Sequence, residues 1–305
     1  MKFVLCFLSI YGLVHAYAFL KLRRALALKA WPALVLGLAF LLLMAGPISI
    51  HLLEHGGRDA AARLLGPPVF IWMAVLFWFC SLQLAADLWN LLILPLAKIH
   101  PAFRRARLPA RVTLAASSVL TLAALAAGMI EASRLRVEKV AIATSKLPPG
   151  SPPIRILFIS DVHLDVYRGD GIFQQLVQAV RELQPDMILS AGDLVDASMA
   201  HIRERAAIMA QWRPPLGQFA VLGNHEYYAG LDHSLAFHRG AGFDRLREGH
   251  AEPHPGLQIL GVDDPAGGYT GQPSFSDERN LLAQRDSTRF AILLKHQPLL
   301  RPGAQ

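Results

Sequence analysis

Four long apolar segments fill the first 130 residues and constrain the fold more than any other feature of the chain. They cover about residues 3–20, 31–53, 69–97 and 112–130. Each approaches or exceeds the roughly 20 residues that a helix needs to cross a bilayer core. None has the polar face that a helix on the surface of a soluble protein carries. We therefore predict a region of four transmembrane helices over residues 1–133, rather than a soluble helical core.

The charges between these segments predict how they cross the membrane. Residues 1–130 hold 12 Lys and Arg against 3 Asp and Glu, a net charge of +9, whereas residues 131–305 hold 18 against 20, a net charge of −2. Because loops rich in Lys and Arg remain in the cytoplasm, we predict an N-terminus on the outside. The protein would lie in the plasma membrane, with the domain after residue 130 on the extracytoplasmic side. The basic loop residues are Lys21, Arg23, Arg24 and Lys29 in the first loop, Arg58 and Arg63 in the second, and Lys98, Arg104, Arg105, Arg107 and Arg111 in the third.

Two features of this region leave alternatives open. The start of the chain resembles a cleavable signal peptide, and cleavage after Ala18 would leave three spans and reverse the predicted orientation. Asp87 in the third segment suggests a transporter, because charged residues inside membranes are often functional. We favour a position of Asp87 at the interface, since residues 69–86 nearly span the bilayer without it. Pro95 would then break a short helical extension.

The second half of the chain alternates short apolar runs with amphipathic helical patterns, which is typical of an α/β fold. A stretch of four prolines and a glycine over residues 146–153 is a loop. We assign residues 134–153 to a first strand and a Pro-rich linker, and residues 154–305 to the α/β domain. Strands are predicted at 137–144, 154–160, 187–190, 218–222, 257–262 and 289–294, and helices at 171–184 and about 198–212.

Metal-capable side chains follow one predicted strand after another. The carboxyl ends of strands in open α/β sheets are where ligands bind. Carboxylate and amide oxygens mixed with imidazoles suit Mn, Fe, Zn or Mg. A carboxylate can bridge two such ions about 3.5–4 Å apart, which can deliver a hydroxide for in-line attack on phosphorus. The residues are Asp161 and His163 after the second predicted strand, Asp193 after the third, Asn224 and His225 after the fourth, and His296 after the last.

These motifs, in this order and strand context, resemble the calcineurin-like metallophosphoesterase superfamily. The motifs are Asp161-x-His163, Gly192-Asp193-x-x-Asp196, Gly223-Asn224-His225-Glu226 and His296. With the N-terminal membrane region, the chain resembles the bacterial transmembrane branch of that superfamily. The resemblance implies an α/β/β/α sandwich that hydrolyses a phosphodiester or pyrophosphate. Some members of the branch are assigned to UDP-diacylglucosamine, so a lipid-linked phosphoester substrate near the bilayer is expected.

The resemblance also implies a role for each motif residue. Two divalent ions would form the cofactor, and a histidine would either donate a proton to the leaving group or stabilise the phosphoryl oxygens. Asp161 and His163 would bind the first ion, Asp193 would bridge both, Asn224 and His296 would bind the second, His225 would be catalytic, and Asp196 and Glu226 would orient His225 or a ligand. The remaining histidines of the domain, His201, His233, His238, His250 and His254, match no motif and are expected on the surface or in loops.

One element of the family pattern is missing from these 305 residues. The family places a Gly-His-x-His segment some way after the strand that carries His296, and each metal would take one imidazole from it. We therefore expect a C-terminally truncated sequence, in which the intact parent is the enzyme and these residues alone bind metal weakly and turn over little. The alternative is a degenerate domain that acts as a ligand- or protein-binding sensor in the membrane. A net acidic domain argues against nucleic acid as a partner.

Overall fold

The computed structural model describes residues 2–56, 58–164, 171–196, 202–273 and 277–298. His201 and the residues after 298 lie outside this description. The chain divides into two compact units, Met1–Arg134 and Leu135–Gln305.

The first unit consists of four long helices, as the apolar segments predict. They are α1 (Lys2–Ala25), α2 (Ala30–His55), α3 (Asp59–Ile99) and α4 (Ala110–Ala132). A short 3₁₀ helix, Pro101–Ala106, lies between α3 and α4. All four helices contain stretches that are long and apolar enough to cross a membrane. Large apolar side chains on their outer faces are exposed, as expected for surfaces in contact with lipid.

Helix α3 is longer than the sequence predicts. It has 41 residues and continues through Pro67, Pro68 and Pro95, so the expectation that Pro95 breaks the helix is wrong. Proline is tolerated in membrane helices because neighbouring groups and local adjustments satisfy the freed backbone carbonyl. At 1.5 Å per residue, α3 is roughly 60 Å long, about twice the hydrocarbon thickness of a bilayer.

Asp87, which suggested transport, is tied to α1 by two side chains. Its carboxylate forms an ion pair with Lys21 and accepts a hydrogen bond of 2.8 Å from the hydroxyl of Tyr17. Both partners lie on one face of α1, four residues apart. A paired carboxylate of this kind links α1 to α3, and this contact gives Asp87 a structural role that requires no transported ion.

The described residues of the second unit form two sheets. The first sheet is parallel and has the order β1 (Ile156–Ile159), β2 (Met187–Ser190), β3 (Gln218–Ala220) and β4 (Asp244–Arg245). In the second sheet, β5 (Gly249–His254) pairs antiparallel with β6 (Leu257–Gly261), which pairs parallel with β7 (Phe290–Leu294). The helices of this unit are α5 (Gly171–Leu183), α6 (Arg203–Met209), α7 (Asn224–Tyr228), α8 (Leu231–Gly240), α9 (Ala266–Thr270) and α10 (Glu278–Ala283).

The two sheets pack face to face between helices, which confirms the predicted α/β/β/α sandwich. Strand β2 is buried throughout: Met187 and Leu189 pack towards the second sheet, whereas Ile188 packs with residues of α5, α6 and α8. On the outer face of the second sheet, Leu260 of β6 packs against Leu281 of α10. Because side chains alternate across a strand, one strand of this kind contributes to both apolar layers.

Several local predictions are corrected by the structure. The strand predicted at 137–144 is not formed, since residues 137–144 have no strand conformation. A strand is stable only when a neighbour takes up its backbone hydrogen bonds. His250 and His254, expected in loops, lie in β5. His238, expected on the surface or in a loop, is fully buried in α8, where it packs beside Phe237.

Candidate metal centre

The carboxyl ends of β1, β2 and β3 form the base of the site. These strands are parallel neighbours, so the loops that follow them lie at the same edge of the sheet. The backbone N–H of Asp161 donates to the carbonyl of Gly192 at 3.2 Å, and that of His163 donates to the carbonyl of Asp193 at 2.9 Å. These two hydrogen bonds hold the loop after β1 against the loop after β2.

The structure brings all five predicted metal ligands into one cluster. His163 Nε2 lies 3.7 Å from Asp161 Oδ1 and 3.8 Å from Asp193 Oδ2. On the other side, His296 Nε2 lies 3.3 Å from the same Oδ2 of Asp193 and 3.1 Å from Asn224 Oδ1. Asp193 Oδ2 therefore lies between two imidazole nitrogens that come from loops 133 residues apart in the sequence.

The chemistry of this cluster fits divalent metal ions. His296 Nδ1 lies 3.0 Å from the carbonyl of Ala191, which can only accept a hydrogen bond. His163 Nδ1 lies 2.8 Å from Asp196 Oδ1, also an acceptor. In their neutral forms both imidazoles thus carry the proton on Nδ1 and turn a lone pair on Nε2 towards Asp193. Lone pairs of oxygen and nitrogen that converge without intervening protons are what a cation requires.

The electrostatics of Asp193 and His296 reflect their contact. Burial opposes ionisation of Asp193, but hydrogen bonds from His296 and from the backbone of His225 hold its pKa below the usual value. Burial also opposes protonation of His296, yet the hydrogen bond and charge of Asp193, together with the charge of Asp161, raise its pKa to about 9. Without a metal ion, a proton on His296 thus compensates the buried negative charge of Asp193.

A single carboxylate oxygen orients two imidazoles of the site. Asp196 Oδ1 lies 2.8 Å from Nδ1 of His163 and 2.5 Å from Nδ1 of His225. The two rings pack edge to face with their centroids 4.7 Å apart. The side chain of His225 remains 39% exposed, and Nδ1 is the ring nitrogen that contacts Asp196.

Comparisons with known proteins identify the family of this chain. The family profile described as calcineurin-like phosphoesterase matches residues 154–304. An uncharacterized metallophosphoesterase of Aquifex aeolicus is 45% identical over 177 residues, which cover 57% of this chain and 67% of that protein. This chain belongs to the calcineurin-like phosphoesterase family.

Two other relatives of the chain are described as transmembrane proteins. A transmembrane protein with metallophosphoesterase domain from Danio rerio is 29% identical over 180 residues, covering 56% of this chain and 41% of that protein. Its Bos taurus counterpart is 30% identical over 176 residues, covering 53% and 39%. The chain thus spans about two fifths of the length of these two relatives. No solved structure matches the chain.

Within this family fold, Glu226 accepts hydrogen bonds from the backbone of two loops of the site. Its carboxylate is fully buried and accepts N–H groups from Asp193 at 2.8 Å, Leu194 at 2.7 Å and Gly223 at 2.8 Å. The sequence predicts that Glu226 orients His225 or a ligand; in the structure its contacts join the loop after β2 to the loop after β3. His238 Nε2, also fully buried, lies 3.5 Å from Glu226 Oε1. Nothing in the sequence pattern distinguishes His238 from a surface histidine.

The loops that carry the predicted metal ligands also have unusual backbone conformations. Asp161, His163 and Asp193 have φ values of 55°, 49° and 53°, in the left-handed region that residues other than glycine rarely adopt. Such conformations are retained where the surrounding structure fixes them, and they concentrate at functional sites. Gly192, directly before Asp193, has φ of 97°. It packs against the backbone of Gly223, which leaves no space for a side chain at position 192.

Proposed function

We propose that this protein is a membrane-anchored phosphoesterase that uses two divalent metal ions to hydrolyse a phosphodiester or pyrophosphate. The position of Asp193 Oδ2 between His163 Nε2 and His296 Nε2 carries this proposal. A carboxylate oxygen flanked by two nitrogen ligands is placed to bridge two cations. Family membership supports hydrolysis of a phosphoester as the type of reaction.

In this proposal the five donors divide into two ligand sets. Asp161 and His163 hold the first ion, and Asn224 and His296 hold the second, with Asp193 shared between them. The division follows the distances, because each of the two imidazoles contacts a different oxygen ligand besides Asp193. Mn, Fe, Zn and Mg all suit this mixture of oxygen and imidazole ligands. When bound, such a pair of ions activates water and neutralises the charge of the phosphoryl group.

His225 is the proposed catalytic acid or phosphoryl-oxygen ligand. Asp196 holds its Nδ1, so Nε2 is the atom that faces a substrate. A proton on Nε2 can pass to the leaving oxygen or remain in a hydrogen bond to a phosphoryl oxygen, and imidazole suits both roles near neutral pH. Asp196 and Glu226 would contribute by positioning, the first through the two imidazoles and the second through the loop backbone.

The substrate is proposed to be lipid-linked, with UDP-diacylglucosamine as the specific candidate. The four apolar helices support a substrate that lies at the bilayer, since they hold the enzyme there. The net charge of −2 over residues 131–305 argues against a long nucleic acid. A plasma membrane location with the phosphoesterase domain outside the cytoplasm follows from the distribution of basic loop residues.

Hydrolysis by the natural protein in detergent tests this proposal. With Mn²⁺, we expect cleavage of bis(p-nitrophenyl) phosphate and of UDP-diacylglucosamine. A His225→Gln variant should lose about 10²-fold or more in kcat, as general acids typically contribute. His233→Gln, which alters an exposed histidine on α8, is the control and should retain activity. Bound metal without hydrolysis of either compound would overturn the proposal in favour of a sensor domain in the membrane.

A further inference from the structure

Helices α1 and α2 of the membrane unit enclose a groove of about 730 Å³. This volume lies within the range of roughly 300–1,000 Å³ that is typical of ligand pockets. Its lining residues recur every three or four positions on each helix, so one continuous face of α1 and one of α2 form the two walls. They include Gly12, Ala16 and Arg23 on α1, and Ala33, Gly37 and Leu41 on α2.

Small residues leave the space between the two helices. A Cβ atom added at Gly12 would lie 3.7 Å from Met44 Sδ, and one at Gly37 would lie 3.7 Å from Phe19 Cε2. A methyl group would therefore fit at either glycine in ordinary van der Waals contact, without a clash. The two glycines thus lie where α1 and α2 approach each other along the groove that both helices line.

The interior of the groove is apolar and needs no polar ligand. Among the described residues that line it, only His15 and Arg23 carry side-chain nitrogen or oxygen. His15 Nδ1 donates to the carbonyl of Tyr11 at 2.8 Å, and Trp72 Nε1 donates to His15 Nε2 at 3.0 Å. Both ring nitrogens are satisfied, so a hydrocarbon chain can occupy the groove without leaving a polar group unpaired.

One end of the groove differs from the rest, because it carries the guanidinium of Arg23. This side chain is exposed, and the described part of the chain gives it no hydrogen bond or ion pair. Eleven residues separate Gly12 from Arg23, a rise of about 16 Å along the helix. That length is close to half of the roughly 30 Å hydrocarbon core, the depth of one leaflet. The distance from Arg23 to Gly12, at the inner end of the groove, is therefore about the length of one acyl chain.

We propose that this groove binds one glycerophospholipid, with an acyl chain between α1 and α2 and the phosphate on Arg23. The match of groove length to one leaflet, the apolar lining and the unpaired cation at one end together identify this class of ligand. Arginine is suited to this role because its planar donors match phosphate oxygens. The inference does not depend on the phosphoesterase activity and can be tested separately.

Native mass spectrometry of the full chain in mild detergent, titrated with phosphatidylglycerol, tests the role of Arg23. We expect one bound lipid at low concentration and a roughly fivefold weaker affinity for Arg23→Ala. Arg105→Ala is the matched control, because Arg105 lies in the 3₁₀ helix outside the groove and should leave affinity unchanged. Equal binding of diacylglycerol, which lacks phosphate, and no effect of Arg23→Ala would overturn the proposal.

A second pair of variants tests the groove itself. Gly37→Leu fills the groove and should reduce phosphatidylglycerol binding more than tenfold, and Gly12→Leu should act in the same direction from the other wall. Gly128→Leu is the control, since Gly128 lies on α4 outside the groove and a Cβ atom there would meet no atom within 4 Å. Circular dichroism and thermal unfolding establish that each variant folds. Undiminished lipid binding in both groove variants would overturn the assignment.

Discussion

Asp196 Oδ1 lies 2.5 Å from Nδ1 of His225, and the same oxygen lies 2.8 Å from Nδ1 of His163. Asp196 thus orients both His163, a proposed metal ligand, and His225, the proposed catalytic acid. The orientation of both imidazoles depends on this one residue. Replacement of Asp196 by Asn retains the shape but supplies a neutral amide, which holds the imidazoles less strongly. We expect Asp196→Asn to lose about 10–100-fold in metal affinity or activity, as partners of metal-ligating histidines typically do.

Titration of Mn²⁺ into the Asp196→Asn variant by calorimetry, together with kcat against pH, measures this effect. The control is Asp232→Asn, because Asp232 is an exposed carboxylate on α8. An Asp196→Asn protein with unchanged metal affinity and an unchanged pH profile would show that the two imidazoles do not need this carboxylate.

Glu226 is expected to be essential for stability rather than for proton transfer. Glu226→Ala removes the acceptor of three backbone N–H groups in a fully buried position. Each buried donor left unpaired costs about 1–3 kcal/mol, so the free energy of unfolding should fall by about 3 kcal/mol or more. Glu252→Ala, at an exposed residue paired with Arg289, should change it by less than about 1 kcal/mol. Denaturant unfolding measures both, and equal losses would contradict this role.

Gly223 should not tolerate even the smallest side chain. A Cβ atom there would lie 2.7 Å from the backbone nitrogen of Asp193, inside the contact between the two site loops. Gly223→Ala must therefore displace Asp193, and we expect a lower melting temperature and weaker Mn²⁺ binding. Gly171→Ala is the matched control, because a Cβ at Gly171 meets nothing within 4 Å. Normal metal binding by Gly223→Ala would contradict the proposed close approach.

The stability of the protein in a metal chelator should fall as the pH rises from about 6.5 to 9. Despite burial, Asp193 raises the pKa of His296 from 6.5 to about 9, so the folded state binds the proton more tightly than the unfolded chain. The resulting stabilisation is complete below the unfolded pKa and is lost as the pH rises through the folded one. It amounts to about 3 kcal/mol at most.

Urea unfolding in EDTA between pH 6 and pH 10 measures this dependence. His296→Gln removes the titrating group and should flatten the curve over this range. A variant curve with the same slope as that of the natural protein would mean that another group is responsible for the change.

Sequence patterns identified the parts of the fold that depend on local physics. The strand predicted at 187–190 and the helix predicted at 171–184 correspond to β2 and α5 because both are apolar in the expected period. Strand β5 was missed, since its Gly249–His254 segment is polar and half-exposed and pairs through contacts distant in sequence. The expected strand at 137–144 has a suitable composition but no described neighbour to complete it.

Sequence patterns predict some features of the site and not others. The clustering of Asp161, Asp193 and Asn224 followed from parallel strands that end at one edge of a sheet. The contact of Glu226 with loop backbone, and the burial of His238 beside it, depend on how α7 and α8 pack. No periodicity or motif encodes that packing, so these two residues could be understood only from the structure.

Electron paramagnetic resonance of the natural protein loaded with Mn²⁺ tests most directly whether two metal ions share this site. We expect two Mn²⁺ per chain with the spectrum of a spin-coupled pair. Asp193→Asn, which weakens the shared ligand, should lose the coupling and bind at most one ion. A spectrum of isolated Mn²⁺ in the natural protein, or a coupled pair that persists in Asp193→Asn, would contradict a two-metal site bridged by Asp193.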